Sequence, residues 1–109
     1  MKVLINGKSM PLSKLSTGVD DYKPVRPGRM RVEARWTGSA TGSGYYVVLS
    51  TTEPKVKDFA TCRTGTSCLV TKTVRILDGQ EMSWTVRIVK KSNLLPVAGY
   101  QVCLVGRKP

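Results

Sequence analysis

The chain has no histidine, only seven aspartates and glutamates, and few aromatic residues, 6% in all. Each shortage removes a class of function. Without histidine the usual serine and cysteine triads lack their base, so acid–base work would fall to a carboxylate or a lysine. A mixed cysteine–histidine zinc site is excluded, and the three cysteines, Cys62, Cys68 and Cys103, do not have the spacing of a paired zinc knuckle. No apolar run is long enough to cross a bilayer. Met1 to Met10 holds only the brief apolar stretch Val3, Leu4 and Ile5, short of the core of a secretory signal. The sequence therefore predicts no membrane span and no cleaved leader, with the protein in the cytoplasm or carried in a virus particle.

Chemistry-bearing motifs are equally scarce. Asp20 and Asp21 are adjacent carboxylates, but neighbours in an extended segment point apart. The strings Ser16 to Gly18 and Thr41 to Ser43 lack the lysine and the following helix of a phosphate loop. We expect no catalytic residues, no metal, no cofactor and no small-molecule substrate.

What is present points to one globular domain. The 109 residues, 40% apolar and 23% charged, suffice for one core and are too few for two ordinary ones. Eighteen lysines and arginines against seven acids leave a net charge of +11, which favours an acidic protein surface, an anionic polymer or nucleic acid as partner. The cations are spread from Lys2 to Lys108, so solubility alone accounts for them equally well.

Alternation gives the architecture. Met30, Val32, Ala34 and Trp36 share one parity and Arg31, Glu33 and Arg35 the other, the pattern of a half-buried strand. Met82, Trp84, Val86 and Ile88 repeat it against Ser83, Thr85 and Arg87. Tyr45 to Leu49 is apolar on both faces and reads as a central strand. Further strands are expected at 58–62, 68–77 and 100–105, with turns at 51–57 and Asp78-Gly79 and a loop from Lys91 to Gly99. No segment carries a helical period. Many short strands at this spacing predict an all-β sandwich, with a small closed barrel as the competing arrangement.

The first 28 residues read differently. Asn6-Gly7 is a strong hairpin signal between 2–5 and 8–12. Residues 13–28 show no sustained period and contain Gly18, Pro24, Pro27 and Gly28. They predict an extended arm or linker, or equally a segment wrapped back over the sandwich.

Three sets of residues are candidates for contacts. Arg31, Arg35 and Arg87 fall on outward parities and are expected to form a basic outer sheet face, while Trp36 turns inward with the core. Leu94, Leu95, Pro96 and Val97 form an apolar loop at one end of the sandwich, where such folds carry recognition loops, or else an edge strand blunted by proline. Cys62 and Cys68 bracket the turn-like Arg63 to Ser67 at a spacing a disulfide can close in an oxidising setting. Cys103, in an apolar run, is expected as a small core residue.

The succession Arg31 to Trp36, Gly44 to Leu49, Thr71 to Gly79 and Ser83 to Val89 resembles the fibronectin type III pattern of immunoglobulin-like sandwiches. In that family a tryptophan ends the second strand, tyrosine and valine alternate along the third, and a leucine precedes a glycine-containing turn before an aromatic-led sixth strand. Two departures stand out. Trp84 takes the place nearest the usual tyrosine, and an indole N–H cannot accept a hydrogen bond as a phenol can. The family's integrin-binding tripeptide is absent from the loop before the last strand, where Ser92 to Ala98 stands instead. The resemblance implies a scaffold for adhesion, spacing or assembly.

The sequence as a whole predicts an immunoglobulin-like, fibronectin type III-like antiparallel β-sandwich over 29–109 with an N-terminal arm over 1–28. Its expected role is that of a non-catalytic structural protein, a small virion component of a phage head or tail that binds neighbouring protein subunits through the arm and the sandwich surface. The alternatives are a basic nucleic-acid-binding β-barrel and a surface adhesion module for an anionic polymer.

Overall fold

The computed structural model describes residues 1–14, 22–36, 44–52, 55–61 and 68–108. Their ten strands are β1 (Lys2–Ile5), β2 (Lys8–Met10), β3 (Ser13–Lys14), β4 (Lys23–Val25), β5 (Gly28–Trp36), β6 (Tyr45–Thr52), β7 (Lys55–Thr61), β8 (Cys68–Ile76), β9 (Glu81–Lys90) and β10 (Pro96–Gly106). They form two sheets packed together. The first has the order β2-β1-β5-β8; the second runs β3-β10-β9-β6-β7, with β4 added in parallel to β10. Among the described residues there is no helix, and none is therefore long and apolar enough to cross a membrane.

The alternation read from the sequence decides which side chains meet between the sheets. Val3 and Ile5 of β1, Met30, Val32 and Ala34 of β5, and Val70 and Ile76 of β8 line the inner face of the first sheet. Val47 and Leu49 of β6, Met82, Trp84 and Val86 of β9, and Val102 and Leu104 of β10 line the other. Trp84 is the largest fully buried side chain, and its Nε1 has no hydrogen-bond partner. An orphaned donor costs about 1–3 kcal/mol. Removing an indole from water contributes roughly 4–6 kcal/mol at the usual area coefficient, so packing wins. Central β6 is buried on both faces, as Val47, Val48 and Leu49 show.

The N-terminal segment is not an arm over its described residues. Asn6 and Gly7 have φ of 51° and 83°, the left-handed pair that a tight two-residue hairpin requires, and β1 and β2 fold about them. The hairpin does not stand off from the sandwich. β1 pairs along its length with β5, Val3 opposite Ala34 and Ile5 opposite Val32, which drives both apolar side chains into the core. β3 and β4 then pair with β10, so the described residues of this segment contribute to both sheets. Residues 15–21 lie outside the described residues.

Other boundaries shift for identifiable reasons. Most of the turn expected over 51–57 is strand, because β6 continues to Thr52 and β7 begins at Lys55; residues 53–54 lie outside the described residues. The last strand starts at Pro96 instead of Tyr100, since a proline is tolerated at the first position of a strand, where no ladder N–H is demanded. At the other end of β10, Gly106 donates to Gln80 O and accepts from Gly79 N, and a Cβ there would run into the Leu77 carbonyl. Cys68 is disulfide-bonded and Cys103 is free; Cys62 lies outside the described residues. Cys103 is buried, but its register partner Ser83 puts it on the outer face of the second sheet and not between the layers.

Candidate docking site

The connection between β9 and β10 is built by its own polar groups. Ser92 and Asn93 are turn formers, and the Asn93 side-chain oxygen accepts a hydrogen bond from the Leu95 N–H at 3.0 Å. The Leu94 N–H donates to Lys90 O at 2.8 Å, the Lys90 N–H donates to Leu95 O at 3.0 Å, and the Lys91 N–H ties the base of the loop to Gly44 O at 2.9 Å. These bonds hold Leu94 at φ 59°. A bulky side chain rarely adopts that left-handed region, where asparagine or glycine is at ease.

The ladder beyond the turn is irregular too. Pro96 faces Val89 and Ala98 faces Ile88, so Val97 is the extra residue of a β-bulge. A bulge re-aims the side chain it inserts. The result is an apolar knob: Leu94, Leu95 and Val97 are 58%, 59% and 50% exposed, three of the five large apolar side chains that the described residues leave in water. The loop reading of these residues is thereby favoured over the edge-strand one, although Pro96 and Val97 already belong to β10.

Cations and rings stand at the base of the knob. Lys90 is exposed, and the Lys91 ammonium lies 5.5 Å from the centre of the Tyr46 ring, within reach of a cation–π contact. Trp36, half-buried against the core, meets Tyr45 edge to face at 5.7 Å, which joins the end of the first sheet to the start of β6. An open cleft of about 420 Å³ lies between Gly44 and Tyr45 on one side and Lys90 to Ser92 on the other.

The basic residues expected to share one face do not. Arg31 and Arg35 are on β5 of the first sheet and Arg87 is on β9 of the second, so their outward directions are opposed. Arg87 is half-buried, with its Nε in contact with no acceptor, whereas Arg31 and Arg35 are open to solvent. Between those two on the same strand, Glu33 is largely covered and receives both. Its carboxylate is 2.6 Å from Arg35 Nε and 3.4 Å from Arg31 Nη2. Arg29 stands on β5 at the same parity, and the register adds two cations from other strands that parity alone did not assemble: Lys2 opposite Arg35, and Arg75 opposite Arg29. Nothing local in the sequence ties β1 or β8 to β5; only the pairing does.

Among the described residues no three histidine, cysteine, aspartate or glutamate side chains converge on a point that could hold a metal ion. The chain matches no family model and no curated protein.

Proposed function

We propose that the protein is a non-catalytic assembly module of the immunoglobulin-like type that docks on a neighbouring protein subunit through the knob of the β9–β10 connection. Seven of its strands support the type. Taken in chain order as β1 and β5 to β10, the first, second and fifth pair in one sheet and the seventh, sixth and third in the other. Immunoglobulin-like sandwiches share that partition. The fourth, β7, joins the third, where the constant-type immunoglobulin arrangement places it in the opposite sheet.

The observation that carries the docking reading is Leu94. An exposed leucine held at positive φ gains neither burial nor backbone ease from its position, which points to use of the side chain by something outside the fold. The flanking Lys90 and Lys91 and the +11 net charge favour an acidic partner over a second copy of the same chain. In the virion setting expected from the sequence, that partner would be a shell or tail subunit.

The test is a photoreactive side chain placed at position 95 or, for reference, at exposed position 73, irradiated in the producing cells. One discrete crosslinked protein is expected from position 95 and none from 73. Leu94→Asn should remove the crosslink while raising the melting temperature, because asparagine accepts the left-handed conformation. No crosslink, or equal labelling from both positions, overturns the reading.

A further inference from the structure

The outer face of the first sheet carries five exposed cations, Lys2, Arg29, Arg31, Arg35 and Arg75, around a single carboxylate, Glu33. The carboxylate is engaged by Arg31 and Arg35. Among the described residues Lys2, Arg29 and Arg75 have no acidic partner. Arg29 and Arg75 are direct cross-strand neighbours, which sets their Cβ atoms about 5 Å apart on one face. Like charges so placed repel and weaken the sheet. An anion seated between them would turn that repulsion into two charge-assisted contacts.

We propose that this face binds the phosphate backbone of nucleic acid, with the Arg29–Arg75 pair as its principal phosphate site. Four of the five cations are arginines, whose planar forks match phosphate oxygens two at a time. Successive outward residues of β5 repeat about every 7 Å, so Arg29, Arg31 and Arg35 form a straight line of charge roughly 20 Å long that a polyanion can follow. Aromatic side chains are missing from the face among the described residues, since Trp36 packs toward the core and Tyr45. Bases and sugar rings therefore find no platform to stack on, and binding is indifferent to sequence and steeply dependent on salt. The same lack disfavours a glycan. The inference does not rest on the docking reading, because the knob lies at the Trp36 end of the sandwich and the arginine pair at the Gly28 end.

Fluorescence anisotropy with labelled DNA of arbitrary sequence, single-stranded and duplex, tests it on the full chain. Wild type should bind both forms, and log affinity should fall against log salt with a slope of about −3. Arg29→Ser with Arg75→Ser should lower affinity at least tenfold and flatten the slope by about 2, because two fewer phosphates are neutralised. The double variant should melt no lower than wild type, since it removes a repulsive pair. Leu94→Asn should leave the affinity unchanged, so failure here and failure of the docking reading are told apart. The proposal is overturned by absence of binding at low salt, by an equal loss in a Lys90→Ser, Lys91→Ser control, or by stronger binding of a sulfated polysaccharide at equal charge concentration.

Discussion

On the outer face of the first sheet stand Lys2, Arg29, Arg31, Arg35 and Arg75, all in water, whereas the outer face of the second carries Val48, Ser50, Thr85, Arg87, Gln101 and Cys103, all wholly or half buried, with Ser83 exposed beside Cys103. Both faces come from the same period-two alternation. The difference lies in the outward residues themselves, since β5 in the first sheet and β6, β9 and β10 in the second are all flanked on both sides. Three of the outward residues of β5 are arginines, which extend into water. In the second sheet small outward groups lie against one another, as Ser50 Oγ and Thr85 Oγ1 do at 2.7 Å. Alternation separates inside from outside; it does not say what the outside is for.

The comparison can be broken most severely by stripping the edge strands from both sheets. Deleting residues 1–28 takes away β1, with Val3 and Ile5, and the two short strands on β10. Val3 and Ile5 are buried, each worth roughly 1.5–3 kcal/mol, and with the half-buried Met1, Met10, Leu12 and Val25 their loss removes much of the stability of a domain this size. Circular dichroism of the truncated chain should show no cooperative melting transition. A truncated protein that melts within a few degrees of the full chain would mean that the hairpin is not part of the fold.

A smaller effect separates the two faces directly. Val48→Lys puts an ammonium at a position of the second sheet that is 2% exposed, and should destabilise by roughly 3 kcal/mol in denaturant titrations. Thr73→Lys adds the same charge to the open face of the first sheet, beside Arg31. Its cost should stay within about 0.5 kcal/mol. The added cation should also tighten DNA binding at low salt, which Val48→Lys should not do.

The strands and their inward sides were legible because Met30 to Trp36 and Met82 to Ile88 alternate without a break. The assignment of strands to sheets was not. Arg31, Arg35 and Arg87 carry the same local signature, and only hydrogen bonding between distant segments puts the first two on one face and the third on the other. β1 was legible as the first strand of the Asn6-Gly7 hairpin, but its place beside β5 was hidden for the same reason: Val3 and Ile5 make too short an alternation to announce a partner more than 25 residues away. The knob was readable in composition, as Leu94, Leu95 and Val97, but not in its positive φ or its bulge, which arise from turn closure and from the register with β9.

The free thiol of Cys103 gives the molecule a built-in clock. It borders a small cavity of about 120 Å³ shared with Pro11, Ser13 and Lys23, residues of the chain that runs alongside β10. Cys103 is only 7% exposed, so alkylation by a maleimide should be slow in the native protein and should quicken when that neighbouring stretch lifts away, which makes its rate a readout of local opening with no engineered label.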